Sequence, residues 1–214
     1  MKFNASKIKK IIQILKKRYP VVKTQLEHKT PFQLLIATIM SAQCTDNQVN
    51  KVSKKLFKKY PDPDSLSSAP LDSIKQIVYS TGFYNNKAKN IKACALEVLN
   101  EHGGIVPEDM DKLVKLPGVG RKTANVVLSA AFGHQTIVVD THVLRISNRL
   151  GLTEKKDPVK VEYELMKLIP EISWSDISLQ FIYFGREICN AKKPLCKDCP
   201  LLKVCLFKGE SSRF

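Results

Sequence analysis

The stretch DKLVKLPGVGRKTANVVLSAAF, residues 111–132, predicts two helices joined by a tight turn. Pro117 cannot continue the first helix, and Gly118 and Gly120 give the turn backbone freedom and leave it without bulky side chains. After the turn, apolar residues return at helical spacing: Ala124, Val127, Leu128 and Ala131. The stretch therefore predicts a helical hairpin, and the remaining sequence is interpreted around it.

The charge of the chain indicates a polyanionic partner. The 214 residues include 35 Lys and Arg against 20 Asp and Glu, a formal net charge of +15. A broad positive potential attracts polyanions, among which nucleic acid is the first to consider. A proteome rich in lysine would give the same charge, so charge alone leaves that alternative open.

The hairpin turn is suited to binding an anion. Two glycines that flank a turn before a helix leave backbone amides pointing outward with no side chain in front of them. We therefore expect Gly118, Gly120 and Arg121 to hold a phosphate of a DNA backbone. A plain helical hairpin with a glycine turn is the alternative, and it is the weaker one in so basic a chain.

Periodic apolar residues predict an all-α fold with two helical lobes. Apolar side chains recur every three or four positions along almost the whole chain, as in amphipathic helices. Residues 31–43 are apolar nearly all round, which predicts a helix at the centre of a helical layer. Residues 136–139, TIVV, are interpreted as an extended connection. The predicted lobes are 24–134, with the hairpin, and 1–23 plus 135–214.

The N-terminal segment, MKFNASKIKKIIQILKKRYP, does not have the pattern of a targeting sequence. Lysines interrupt its apolar residues every few positions, so it lacks the continuous apolar stretch of a signal peptide. Elsewhere no apolar run approaches the length of a membrane span. We expect an intracellular protein of the cytoplasm or nucleoid, without a membrane partner.

Lys122 stands where a helix begins, and there the positive end of the helix dipole disfavours a cation. Arg121 and other nearby cations also disfavour the ammonium form, so the free amine becomes available as a nucleophile. A lysine beside a bound phosphate backbone can reach a sugar carbon.

Asp140 lies between an apolar extended piece and a helix in IVVDTHVLRISNRLG, residues 137–151. Aspartate is a favoured N-cap, and a capping carboxylate is held ionised at a fixed point. This suits it to accept a proton from Lys122 and to stabilise positive charge as a glycosidic bond breaks. His142 is interpreted as a packed or capping residue outside the catalytic set.

Four cysteines crowd into CNAKKPLCKDCPLLKVC, with gaps of six, two and five residues: Cys189, Cys196, Cys199 and Cys205. Thiolates this close can converge on tetrahedral zinc or on an iron-sulfur cluster, and the spacing leaves both open. Lys192 and Lys193 lie inside the first gap. We expect this pair to contact DNA phosphates, although each lysine alone could be a solvated surface residue.

The hairpin resembles the helix-hairpin-helix motif of the endonuclease III family of DNA glycosylases, and the whole chain resembles that family from about residue 10 to residue 206. In this family the lysine at the position of Lys122 attacks C1′ of the damaged nucleotide, expels the base and forms a Schiff base, whose β-elimination nicks the strand. The resemblance also supports the catalytic role of Asp140. The cysteine spacing after Gly185 and Arg186 implies a 4Fe-4S cluster, so the four cysteines are expected to bind iron. Phe184 departs from the histidine that relatives often carry.

Base removal at C1′ requires the nucleotide to be flipped out of the duplex and the gap to be filled. Gln43, at the end of the apolar helix, is expected to fill the gap that the flipped nucleotide leaves in the base stack. Its amide is expected to hydrogen-bond the base on the opposite strand that has lost its partner. Phe83, in a turn after Gly82, is expected to wedge the opposite strand. Both match family positions, and the alternative for Phe83 is that it packs beneath its own turn.

Together these features predict a monomeric, bifunctional DNA glycosylase and apurinic/apyrimidinic lyase that removes oxidised pyrimidines in base excision repair. Its partner is double-stranded DNA with a damaged base or an abasic site. Lys122 and Asp140 are expected to face each other across a groove between the lobes. Two alternatives stay open: a DNA clamp without catalysis, and a glycosylase for another lesion such as a mismatch or photodimer.

Overall fold

A computed structural model describes residues 5–207, and the regular structure in that range is helical, without a β-strand. The α-helices are α1 Ala5–Arg18, α2 Pro31–Met40, α3 Asp46–Lys59, α4 Pro63–Ser68, α5 Leu71–Val78, α6 Tyr84–His102, α7 Met110–Leu113, α8 Arg121–Phe132, α9 Thr141–Arg149, α10 Pro158–Leu168 and α11 Trp174–Glu187. Short 3₁₀ turns cover Tyr79–Thr81, Glu171–Ser173, Cys196–Asp198 and Leu202–Val204. Within the described range, no helix is both long and apolar enough to cross a membrane.

The chain divides into two compact units. The internal unit is Thr24–His134 and holds α2 to α8. The terminal unit combines the described residues of Met1–Lys23 and Gln135–Phe214, and it holds α1 and α9 to α11.

Helix α2 is the centre of the internal unit, as its apolar sequence predicts. All of its residues from Phe32 to Met40 are buried, and it packs against α3, α6 and α8. Thr30 caps its start by accepting a hydrogen bond from the Gln33 amide at 3.2 Å. The helix ends at Met40, so the expectation that Gln43 ends it is wrong, and Gln43 lies in the turn that follows.

The core of the terminal unit forms where α1 and α9 pack against α11. Ile11 and Leu15 of α1 are buried in the same apolar cluster as Phe181 and Phe184 of α11. Phe184, which departs from the family pattern, is therefore a core residue with 2% of its surface exposed.

Residues 136–139 form the extended connection that the sequence predicts. All four are buried, so their backbone amides need partners other than water. The Thr136 amide donates to Ser175 Oγ at 3.2 Å, and the Val138 amide donates to Ser178 Oγ at 3.1 Å. Side chains of α11 thus take the place of a neighbouring strand, and the connection leads directly to Asp140.

Candidate functional site

The two glycines of the hairpin turn have different structural roles. Gly118 has a φ of +78°, and a Cβ atom built on it would lie 2.9 Å from the Cβ of Asn90 in α6. Gly120 has an ordinary φ of −96° and is the N-cap of α8. A Cβ atom there would meet nothing within 4 Å. Gly118 is thus required by backbone shape and close packing, whereas Gly120 keeps the start of α8 open.

Helix α8 presents a basic first turn and an apolar inner face. Ala124, Val127 and Leu128 are buried in the core of the internal unit, at the spacing that the sequence predicts. Lys122 is exposed on the first turn. Because Gly120 has no side chain, the helix start has no side-chain cap, and its amide dipoles can act on an approaching anion.

Gln43 and Phe83 share an unusual backbone conformation. Within residues 5–207 they are the two non-glycine residues with positive φ, at 54° and 48°. The left-handed region is disfavoured for side chains other than glycine, and such strain clusters at functional sites. Both residues are exposed, Phe83 by 66%. The alternative that Phe83 packs beneath its own turn is therefore wrong.

Asp140 is the N-cap of α9, which confirms the predicted cap. Its Oδ1 atom accepts hydrogen bonds from the His142 and Val143 amides, both at 2.8 Å. The cap fixes the carboxylate on a half-buried position and leaves Oδ2 outside these two bonds. The arrangement holds an acceptor oxygen at a defined point, as proton transfer requires.

His142 is a packed residue, as predicted. Arg145 donates a hydrogen bond to its Nδ1 atom at 3.1 Å, and burial lowers the pKa of His142. The ring also lies against Gly185 of α11, where a built Cβ atom would come within 2.6 Å of Nδ1. Gly185 of the glycine-arginine pair is therefore a close-packing residue between α9 and α11.

The four clustered cysteines are half-buried and line one cavity of the terminal unit. The rest of the lining is largely apolar: Ile146, Leu150, Phe184, Ile188, Pro194, Leu195, Leu201, Leu202 and Phe207. Burial raises the pKa of Cys199 and Cys205, and in each case charge on neighbouring cysteines raises it further. Over the described residues, no three His, Cys, Asp or Glu side chains are arranged to hold a single metal ion.

Two arginines of α9, neither of them predicted from the sequence, hold the first part of the cysteine loop. Arg145 donates to the backbone oxygen of Cys189 at 2.9 Å. Arg149 donates to Cys189 Sγ at 3.2 Å and to the oxygens of Asn190 and Ala191 at 2.7 and 2.9 Å. Their spacing of four residues, which places them on one helix face, is the signal that could have identified them. Lys192 and Lys193 follow this anchored segment and are exposed.

The comparisons identify the family. Residues 36–171 match the HhH-GPD superfamily base excision DNA repair proteins, and the chain belongs to this family. It is 51% identical over 196 residues to endonuclease III of Synechocystis sp., covering 91% of this chain and 90% of that protein. The structure matches a non-covalent endonuclease III–DNA complex and a trapped endonuclease III–DNA covalent intermediate. Each match has a TM-score of 0.91 and 46% identity, and covers 95% of this chain and 96% of the other.

The protein is therefore a DNA glycosylase with apurinic/apyrimidinic lyase activity, and DNA is its partner. The predicted family, all-α fold and enzyme class are confirmed. The alternative of a DNA clamp without catalysis is set aside, because the relatives are enzymes of base excision repair at high identity over nearly the whole chain.

Proposed function

We propose that the enzyme acts as a monomer on double-stranded DNA, removes oxidised pyrimidines and cleaves the strand at the resulting abasic site, with Lys122 as nucleophile. The observation that carries this proposal is the exposed amine of Lys122 on the first turn of α8, immediately after a helix start that Gly120 leaves open. A phosphate bound at those amides would bring the sugar-phosphate backbone to the lysine.

The proposed reaction first removes the base and then cleaves the strand. The neutral amine of Lys122 attacks C1′ of the damaged nucleotide, and the bond from C1′ to the base breaks as the base leaves. Ring opening then gives an imine between Lys122 and C1′. Loss of a proton from C2′ and departure of the 3′ phosphate complete a β-elimination that nicks the strand. Hydrolysis of the imine regenerates the lysine.

We assign to Asp140 the proton transfer and charge stabilisation that this reaction needs. A carboxylate with one oxygen fixed by two amides is oriented, so its other oxygen can accept a proton from the attacking amine. The same negative charge stabilises the positive charge that develops on the sugar as the base departs.

The proposed DNA contacts fall into two groups. Gly118, Gly120 and Arg121 of the hairpin hold one backbone phosphate, and the exposed pair Lys192 and Lys193 contact further phosphates, which fix the position of the enzyme on the duplex. Gln43 and Phe83 enter the base stack, Gln43 opposite the orphaned base and Phe83 against the other strand. Their exposed side chains on left-handed turns support this assignment.

We further propose that the four clustered cysteines bind a 4Fe-4S cluster. Four thiols around one largely apolar cavity fit a bulky cluster ligated only by cysteine. With four protein ligands the cluster would have no open position for substrate, so its role would be structural and electronic and not hydrolytic. Arg149, which donates a hydrogen bond to the Cys189 sulfur, would lie in the immediate surroundings of the cluster.

Borohydride trapping tests the nucleophile. Sodium borohydride reduces an imine to a stable amine, so wild-type protein incubated with an abasic-site duplex is expected to give a covalent complex on a denaturing gel. Lys122→Gln is expected to bind the duplex but neither trap nor nick it. Lys115→Gln removes another exposed lysine of the hairpin and is expected to trap like wild type.

Undiminished trapping by Lys122→Gln would move the nucleophile to another amine and overturn the proposal. The lesion is tested separately with duplexes that contain thymine glycol, a G·T mismatch or a pyrimidine photodimer. Faster release of the base from the mismatch or photodimer duplex than from the thymine-glycol duplex would replace the proposed substrate class. The proposed role of Lys122 would be unaffected.

A further inference from the structure

Lys87 is a buried lysine that the catalytic proposal does not use. Only 5% of its surface is exposed, although lysine is rarely buried without a partner. It lies in the first turn of α6, where the helix dipole also disfavours a cation. Burial lowers the pKa of Lys87. The contacts of this buried cation therefore need an explanation.

The contact of Lys87 is the turn that carries Phe83. Its Nζ atom donates a hydrogen bond to the backbone oxygen of Thr81 at 2.7 Å. Thr81 is itself buried, and its hydroxyl donates to the Val78 oxygen at 2.7 Å. Thr81 is thus held through both its side chain and its carbonyl. Gly82 and Phe83 follow directly, with φ values of 71° and 48°.

The Gln43 turn, the second of the two insertion turns after that of Phe83, lies in the same internal unit as Lys87. Cys44 packs against the same apolar core as α6, and its amide is bonded to the Ser41 oxygen at 3.0 Å. The buried ammonium therefore contacts the Phe83 turn directly, and the Gln43 turn packs against the same apolar core.

Inserting a side chain between stacked bases requires the bases to unstack, so the turn that carries the wedge must resist being pushed back. A non-glycine residue in the left-handed conformation does not by itself keep the turn from being pushed back, because its relaxation to a right-handed conformation is favourable. The surrounding structure must therefore hold the residue in the left-handed conformation. A charge-assisted hydrogen bond from a buried lysine to the carbonyl two residues before Phe83 is suited to that task.

We propose that Lys87 is a positioning residue for duplex opening: its ammonium fixes the Thr81 carbonyl, and this holds Phe83 in the strained, outward conformation. The inference rests on the insertion roles proposed above for Phe83 and Gln43. Lys87 touches neither DNA nor the reacting atoms in this role. It acts through the turn.

The test compares double-stranded and single-stranded abasic DNA, because a single strand has no base stack to open. Lys87→Met removes the donor and keeps an unbranched chain of similar length in the buried site. We expect single-turnover cleavage of the duplex to fall about tenfold or more, the effect of losing one hydrogen bond to a charged group. Cleavage of the single strand is expected to stay within about twofold of wild type.

Lys92→Met is the matched control. Lys92 lies on the same helix and donates to the Ala69 backbone oxygen, so its loss removes the same kind of bond away from the insertion turns. A second readout is the fluorescence of 2-aminopurine placed opposite the abasic site, which rises when this base loses its stacking. We expect that rise with wild type and Lys92→Met, and a smaller one with Lys87→Met. If Lys87→Met does not fold, Lys87→Gln replaces it, and its cleavage of the duplex is compared with its cleavage of the single strand in the same way.

An equal loss on both substrates in a folded variant, or no loss on the duplex, would overturn the role of Lys87. Phe83→Ala and Gln43→Ala are measured alongside to separate the two proposals. If these variants leave duplex cleavage and 2-aminopurine fluorescence unchanged, the insertion roles themselves fail. If they impair both while Lys87→Met does not, the insertion roles stand and only the positioning role is refuted.

Discussion

Alanine substitutions at Gly118 and Gly120 should separate the two tasks of the hairpin turn. The two positions are two residues apart and receive the same added methyl group. At Gly118 the backbone φ is +78° and the new Cβ atom lies 2.9 Å from Asn90 Cβ, whereas at Gly120 the φ is −96° and the space within 4 Å is open. The first variant should lose stability, and the second should lose DNA affinity.

The magnitude for Gly118→Ala follows from the backbone conformation. A left-handed conformation costs a residue with a Cβ atom about 1–2 kcal/mol. For a protein of this length, each 1 kcal/mol lowers the melting temperature by about 2–4 °C. The backbone alone therefore predicts a decrease of about 2–8 °C, and the close contact with Asn90 adds to it. Gly120→Ala imposes no such strain, and its melting temperature is expected to match that of wild type.

The effect on DNA binding should be the reverse for Gly120→Ala. A methyl group in front of the amides at the start of α8 would stand where we propose the phosphate binds, so affinity for duplex DNA should fall without a loss of stability. Thermal unfolding followed by circular dichroism, and fluorescence anisotropy with a labelled abasic-site duplex, measure the two quantities. Equal melting temperatures for the two variants would refute the argument on Gly118. Unchanged affinity for Gly120→Ala would refute the open phosphate site.

Three further predictions concern the rest of the site. Asp140→Asn should keep the helix cap but slow base release from thymine-glycol DNA by about 10²–10⁴-fold in single-turnover assays, whereas Asp140→Ala should also lower the free energy of unfolding by about 1 kcal/mol. Cys199→Ser should lose visible absorption and thermal stability together, because cluster binding and folding are coupled; zinc, with a filled d shell, would give a colourless wild type. Affinity for undamaged duplex should fall steeply between low and moderate salt as counterions are released, and a flat salt dependence would contradict a DNA role for the net charge of +15.

The parts of the site that could be predicted from the sequence are those set by local chemistry. The glycines of the hairpin and the Asp140 cap follow from backbone preferences over a few residues. The buried α2 follows from its apolar composition, because no polar face is available for water. In each case the residues that determine the structure are neighbours along the chain.

The features that were missed depend on residues distant in sequence. The local sequence of Lys87 indicates an exposed lysine on a helix surface. Its burial is set by how α6 packs in the internal unit. Arg145 and Arg149 belong to α9, yet their partners lie about forty residues later, at Cys189 to Ala191. Helical periodicity places such side chains on a face but does not say which segment that face meets.

Helix α6 connects the two elements of the internal unit to which we assign DNA contacts, the Phe83 turn and the hairpin turn. Phe83 is its N-cap, Lys87 follows after about one turn, and Asn90, one further turn along, is the residue against which Gly118 packs. Seven residues of α-helix span about 10 Å, a fixed separation because the hydrogen-bonded helix does not stretch. A phosphate contact at the hairpin sets the position of the enzyme along the strand, and a wedge is useful only at a set distance from that position. The Phe83 turn, to which we assign insertion, and the hairpin turn, to which we assign phosphate binding, therefore both contact one rigid helix. A change in α6 that shifts either contact should impair duplex opening even when Lys122 and Asp140 are intact.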